Sequence, residues 1–353
     1  MFNRWNKCRK KLEIKKKTTI KDIATLLGLT PSAVSKALND HPRISQKTKA
    51  AVQEAVIQLN YQPNYLSSAL RKGKSNLVGL IVPRINTHFY ASVIENIEAI
   101  LNKNGYNVIM AQTNESYKKE CQSIYTLLNI QVDGIIASIA SETVDFEFYR
   151  KIKQKGVPLV LFDRGENDLE VDYVGIDDYN CSQLIVEHLV QQNCSRIAHI
   201  TGFSHTRIFK NRIRGFRDAL QKWELPVEED LIIESNLQIE DGRRIMASLL
   251  NRKQRPDAVY AASDNAALGA LQVLLEKGIK VPEEMALVGF GNEPFSTIMK
   301  PEISTINQFS ADIGKEAALA FLERIKHPEK KVMLNKIILD AALLVRNSSK
   351  RGN

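Results

Sequence analysis

Residues 18–75 read TTIKDIATLLGLTPSAVSKALNDHPRISQKTKAAVQEAVIQLNYQPNYLSSALRKGKS. Three short amphipathic helices, a Pro-Asn break and a small-residue segment follow one another here. Thr19 is placed to cap a first helix, its oxygen accepting an orphan backbone N–H while Asp22 complements the positive helix end. Ile20, Ile23, Ala24 and Leu27 recur at helical spacing and give that helix one apolar face. Gly28 stops it, because a left-handed residue after a helix costs glycine no Cβ clash. Thr30 opens a second helix with Pro31 at the first helical position, where a missing N–H does no harm. Val34, Ala37 and Leu38 then point inward, and Ser32, Ser35 and Lys36 outward. Ser45 caps a third helix whose inner face is Val52, Ala55, Val56 and Leu59. Two short helices across a tight glycine turn make a helix-turn-helix.

An ordinary three-helix bundle with a solvated basic face has the same periodicity. Charge separates the two readings. Residues 1–75 hold 16 Lys/Arg against 4 Asp/Glu, whereas the other 278 hold 33 against 36. The basic excess therefore sits wholly in the first fifth of the chain, the footprint of a phosphate-binding head. Pro63 ends the third helix, since the residue before a proline is pushed out of helical space. Tyr65–Arg71 follows, with small residues at Ser67, Ser68 and Ala69 and a leucine at Leu70. A segment this short is helical only when a partner holds it. Its small residues permit close approach to a groove floor, and its leucine can wedge between base steps.

The compound pattern TIKDIA, GL, VSKALN, ISQKTK, LNYQPN and ALR resembles the LacI (lactose repressor) family of bacterial transcription regulators, over about residues 18–347. The wording ALNDHPRIS, LNYQPN, ALRKGKSN, VDGIIASIA and VGFGNEPF is similar to a branch abundant in Bacteroidetes-type bacteria. The resemblance implies that Pro31, Ser32 and Lys36 meet base edges in the major groove. It implies that Thr19, Ser35, Asn39, Arg43, Ser45 and Thr48 touch phosphates or frame the recognition helix. Ser67 and Leu70 take the minor-groove places of a hinge helix, with Leu70 as the intercalating lever. Most relatives carry Arg where Lys36 stands, and many carry Thr where Ala33 stands. Lysine reaches guanine O6 or N7 without the guanidinium fork, so weaker base discrimination is expected.

Beyond the head, unbroken apolar runs recur at Leu77–Val82, Val108–Ala111, Asp133–Ala137, Leu159–Phe162, Ile197–Thr201, Ala258–Ala261 and Ala286–Phe290. Such runs mark strands buried on both faces, as in parallel sheets. Helical stretches such as Phe89–Asn104 lie between them, so the class is α/β, too long for one sheet. The resemblance implies a core of two periplasmic-binding-protein-like lobes, crossing near residues 175–178, 305–309 and 331–335. The expected organisation is a head over 18–63, a hinge over 64–75 and a core over 76–347. Lobe 1 is expected at about 76–175 and 308–332, lobe 2 at about 176–306 and 333–347, before a polar tail at 348–353. Residues 1–17 are either a basic arm adding phosphate contacts or an early-assigned start.

In open α/β sheets ligands bind beyond the carboxyl ends of the strands. There the sequence places Arg84, His88, Phe89 and Tyr90, then Asp163-Arg164, Asp264-Asn265 and Gly291-Asn292-Glu293. Each polar group also has a structural reading: Asp163 as a helix cap, Asp264 as an N-cap, Arg212 as a surface partner of a carboxylate. Their convergence favours a cleft. The resemblance implies an effector gripped by Asp163, Arg212 and Asp264, with Arg212 making a forked contact to ligand oxygens. Leu237 stands where some relatives place a stacking aromatic, and His88, Phe89 and Tyr90 offer an apolar lid. Gly291 replaces a frequent aspartate, leaving Asn265, Asn292 and Gln308 to take part of its role.

Other classes are poorly supported. No Gly-x-Gly-x-x-Gly, Walker-type loop or Gly-x-Ser-x-Gly elbow is present, and the six histidines lack metal-ligand spacing. Cys8, Cys121, Cys181 and Cys194 form no C-x-x-C pair and are expected as buried, inert thiols of a reducing compartment. No cofactor, metal or catalysis is expected. The first residues have no apolar signal core and no stretch spans a membrane, which argues against a secreted solute-binding protein and for a cytoplasmic one. The segment after Val345 lacks apolar heptads, so a homodimer is expected rather than a tetramer. The partners expected are duplex DNA with a near-palindromic operator and a small effector, a carbohydrate at family level.

Overall fold

Thr30 Oγ1 accepts the Ala33 N–H at 3.1 Å and Ser45 Oγ accepts the Thr48 N–H at 3.2 Å, so two head helices start on side-chain caps. The head helices are α1 (Ile20–Leu27), α2 (Pro31–Leu38) and α3 (Gln46–Gln58). Thr19 is the N-cap of α1 as expected, in a reciprocal capping box: its side chain faces the Asp22 N–H while its own N–H and hydroxyl donate to the Asp22 carboxylate at 2.7 Å. Gly28 ends α1 at φ 62°. Ile23, Val34 and Val52, one from each helix, are fully buried and pack with Ala24, Ala37 and Ala55. Thr18 Oγ1 donates to Leu59 O at 2.9 Å and ties the start of the head to its end.

The computed structural model describes residues 18–61, 74–327 and 334–351. Head and core are separate compact units dividing between Gly73 and Lys74. The 1–17 extension, Cys8, and most of the 64–75 hinge with Ser67 and Leu70 lie outside the described residues.

The core holds two parallel sheets. The first has the order β11-β5-β4-β3-β1-β2, from β1 (Leu77–Val82), β2 (Asn107–Gln112), β3 (Gly134–Ala137), β4 (Leu159–Phe162), β5 (Asp172–Ile176) and β11 (Lys336–Leu339). Helices α4 (His88–Lys103), α5 (Tyr117–Asn129), α6 (Glu147–Gln154) and α11 (Ser310–Lys326) belong with it. The second has the order β7-β6-β8-β9, from β6 (Ile197–Thr201), β7 (Ile232–Glu234), β8 (Ala258–Ala261) and β9 (Ala286–Val288). Its helices are α7 (Asp178–Gln191), α8 (Arg207–Lys222), α9 (Ile239–Leu250) and α10 (Asp264–Glu276). β10 (Thr305–Asn307) and β12 (Ala342–Leu344) pair antiparallel beside it. Every residue of β3, β4, β6 and β8 is buried, as their apolar runs require.

The chain passes between sheets at Asp177 and at residues 308–309, between β10 and α11. The third passage differs from the expected 331–335. β11 still pairs with β5, and the chain crosses only at Asp340-Ala341. The cause is buried Asp172: its carboxylate takes a fork from Arg324 at 2.6 and 2.8 Å and the Asn335 N–H at 2.9 Å, which anchors the start of β11 in lobe 1. Residues 348–351 are no loose polar tail either. Ser348 and Ser349 are fully buried, Ser348 Oγ donating to Leu287 O and Ser349 Oγ bonding His188 and Ser304 at 2.7 Å each. Arg351 donates to Gln192 O, Asn193 O, Pro282 O and Asp257 O. Cys181 and Cys194 are buried, and burial pushes both thiols up to about 12, but Cys121 is only half-buried.

Helices α9 and α10 approach through facing glycines. A Cβ on Gly242 would lie 2.0 Å from Ala266 O, and one on Gly269 would lie 1.9 Å from Ile239 O. Both obstacles are backbone, so the helices must separate. Gly269→Ala is therefore expected to cost about 1–3 kcal/mol by overpacking. A urea midpoint equal to that of the native chain would contradict the close approach.

Candidate functional site

The head presents one polar face. Pro31, Ser32 and Lys36 are all exposed on α2 while Val34 and Ala37 turn inward. Ser32 and Lys36 lie one turn apart on the outer side, where side chains can reach a groove together. Ser35 is half-buried, and its carbonyl accepts Asn39 Nδ2 at 2.7 Å, so Asn39 frames the end of the helix. Ser45 Oγ and Thr48 Oγ1 stand 2.9 Å apart at the start of α3, where their first duty is capping. Arg43 is exposed, whereas Lys49 pairs with Asp40 at 2.5 Å.

In the core, one cavity of about 130 Å³ lies at the carboxyl ends of both sheets. That is room for one small ligand, below the usual range for drug-sized molecules. Arg84 follows β1, Glu115 follows β2, Ser141 follows β3, and Asp163 and Arg164 follow β4. From lobe 2, Phe203 follows β6, Asn236–Gln238 follow β7, Asn265 opens α10, and Glu293 lies beyond β9. Phe89, Phe209 and Phe290 supply apolar wall, and Gln308 reaches it from the second crossing.

Asp163 is held ready for a partner. Its backbone sits at φ 55°, its N–H donates to Val174 O, and Tyr90 OH donates to its Oδ2 at 2.7 Å. Glu115 binds Arg164 Nη1 at 2.5 Å and Arg84 at 3.5 Å, and these cations hold its carboxyl below the usual range despite burial. Arg212 lines the cavity as well, but it is already engaged. Its Nε donates to Asp178 Oδ1 at 2.8 Å, its Nη1 donates to Ala262 O at 3.1 Å, and its Cζ lies 3.5 Å from the centre of the Phe290 ring. The forked face expected for a ligand is thus spent partly on a buried ion pair.

The structure brings Phe89, Asp163, Arg212, Leu237, Asn265 and Gln308 to the cavity wall and leaves three expected contacts elsewhere. Asp264 is fully buried behind it. Thr305 Oγ1 donates to its Oδ1 and the Glu293 N–H to its Oδ2, both at 2.7 Å, so both oxygens are engaged away from the cavity, whose lining the side chain does not join. Ser263, not Asp264, caps α10. Asn292 turns away, its Oδ1 accepting Arg346 Nη2 at 2.7 Å. The His88 side chain is exposed outside the lining, and only its backbone N–H takes part, donating to Glu293. Glu115, Phe203, Phe209 and Gln238 were not anticipated. The strand-end rule applied to β2, β6 and β7 finds three of them, but the three residues of β7 carry too short a run to register as a strand.

Comparison with known proteins gives a consistent picture. A profile of bacterial regulatory proteins, lacI family, matches residues 19–64, and one of a periplasmic binding protein-like domain matches residues 186–349. The HTH-type transcriptional regulator DegA of Bacillus subtilis is 31% identical over 334 residues, 94% of this chain and 98% of that protein. The ribose operon repressor of Haemophilus influenzae is 29% identical over 330 residues, 94% of this chain and 98% of its own length. Among solved structures, a transcriptional regulator CelR–cellobiose complex superposes with a TM-score of 0.71 at 28% identity, covering 94% of this chain and 99% of that one.

Proposed function

The chain belongs to the lacI family of bacterial regulatory proteins, and on that footing we propose a repressor whose operator affinity is set by a sugar or sugar derivative held between the lobes. It is a DNA-binding transcriptional regulator. The observation that carries the reading is the joining, in one chain, of a capped helix-turn-helix to a core whose cavity gathers aromatic faces and polar groups from both lobes. The wording ALNDHPRIS and VGFGNEPF supports a Bacteroidetes-like branch, and the free thiols of Cys121, Cys181 and Cys194 support cytoplasmic residence. Among the described residues no helix is long and apolar enough to cross a membrane.

One head reads only a few base pairs, so a two-fold dimer on a near-palindromic site supplies the affinity. Pro31, Ser32 and Lys36 read the major groove, with Thr19, Ser35, Asn39, Arg43, Ser45 and Thr48 seating the helix on phosphates. Ser67 and Leu70 enter the minor groove when the two hinges lie close. Asp163, Arg212, Leu237, Asn265 and Gln308 hold the effector with Phe89. Its binding changes the angle between lobes and hence the spacing of the hinges. The effector moves this equilibrium only by its differential affinity for the two states.

Lys36→Ala is expected to weaken specific operator binding by about 1–3 kcal/mol, the worth of a direct base contact. Leu70→Ala is expected to cost a similar amount by removing the wedge, while effector binding stays as it was. Fluorescence anisotropy on a selected operator reads both, and unchanged affinities would remove these residues from the interface. Calorimetric titration with a panel of mono- and disaccharides tests the cavity. Heat from none of them, with DNA binding intact, would exclude the sugar class.

A further inference from the structure

Among the described residues, few polar side chains bridge the two lobes across the cavity mouth. On one rim the Glu293 carboxylate, from lobe 2, accepts the backbone N–H of His88 with both oxygens, at 3.0 and 3.1 Å. His88 is the first residue of α4 in lobe 1, and its N–H is one that a helix leaves unpaired at its positive end. A second bridge joins His205 Nε2 to Ser141 O at 2.5 Å. Beside it Arg207 donates to Asn167 Oδ1 at 2.8 Å and lies 4.2 Å over the Tyr173 ring. Of the side chains that make these bridging hydrogen bonds, Glu293 alone also lines the cavity among the described residues.

Glu293 is held from behind by the residues that do not reach the ligand space. Its own N–H donates to Asp264, and neighbouring Asn292 is clamped by Arg346, which also donates to Ser296 Oγ and Ile303 O at 2.8 Å. We propose that Glu293 is the latch that converts occupancy of the cavity into lobe angle. In the empty protein its carboxylate closes the cleft on the positive end of α4. A ligand hydroxyl donating to the same carboxylate competes with His88 and resets the angle. Asp264, Asn292 and Arg346 are positioning residues for this latch. The inference rests on the regulator reading for its purpose, but not for its test.

The test uses the full chain without effector and without DNA. Spin labels introduced as unnatural amino acids at exposed Lys103 and Lys222, one on each lobe, leave the four native cysteines in place. Pulsed distance measurement then reports the open and closed populations. Glu293→Ala removes the acceptor. His88→Pro removes the donor at the first helical position, where proline is tolerated and where Thr87 at φ −114°, ψ 146° suits a following proline. Each variant is expected to raise the open population about five-fold, and the double variant no further than either single one. Glu293→Met, of similar length and without an oxygen acceptor, serves if the alanine variant melts early. Distance distributions unchanged in both single variants, or additive effects in the double one, would overturn the latch. Loss of the latch with operator binding intact leaves the regulator standing, and failure of operator binding with the latch intact does the reverse.

Discussion

Arg212→Ala is expected to destabilise lobe 2 by about 3–5 kcal/mol rather than merely silence the cavity. Arg212 and Asp178 are each 4% exposed in their side chains and bonded at 2.8 Å, so removing the arginine strands a buried carboxylate. Burial already pushes the Asp178 carboxyl up to about 6 against the pull of Arg212. Without that pull it rises further and takes a proton. Replacing both partners, as Arg212→Met with Asp178→Asn, should recover much of the loss, because no unpaired charge remains. Urea unfolding of the two variants measures this. An Arg212→Ala midpoint equal to the native one would return the arginine to a ligand-only role.

The second large effect is a pH dependence centred on Asp264. Burial pushes its carboxyl up to about 6, opposed by the Thr305 hydroxyl and the Glu293 N–H. A carboxyl whose folded value lies above its unfolded one binds its proton more tightly in the native protein. Its stabilising contribution is therefore fully present below about pH 4 and is lost as pH rises through about 6, a swing of up to about 3 kcal/mol. Asp264→Asn has no such titration. The stability of the native chain relative to this variant should grow as pH falls from about 7 to about 4. A constant difference, or one that shrinks on acidification, would contradict a carboxyl whose burial outweighs its hydrogen bonds and the pull of Arg346.

Much of the fold is legible because its signals are local. Caps at Thr30 and Ser45, the glycine at 28 and three-to-four spacing delimit the head within a residue or two. The runs Leu77–Val82, Leu159–Phe162, Ile197–Thr201 and Ala258–Ala261 coincide with strands because all their faces are buried. What escapes such reading depends on distant partners. Asp172 is tolerable buried at the start of β5 because Arg324, 152 residues later, supplies a fork and Asn335 an N–H. Ser348 and Ser349 look like tail residues until Leu287, Ser304 and His188 are seen to receive them.

The cavity divides the same way. Strand-end logic points to Asp163, Asn265 and their neighbours, since topology alone decides where a strand ends. Whether a polar group there faces the ligand depends on what stands behind it. Asp264 and Asn292 lie within one or two residues of the cavity lining, yet Thr305 and Arg346 draw their side chains backward. No spacing in the sequence encodes that competition.

The central claim is that this chain reads duplex DNA as a two-fold regulator. It is tested most directly by selecting bound fragments from randomised duplexes with the purified full chain, at near-physiological salt because affinity depends steeply on it. The expected result is a near-palindromic consensus with a deformable central step, whose enrichment changes when candidate sugars are added. Absence of any enriched sequence, with and without those sugars, would contradict it.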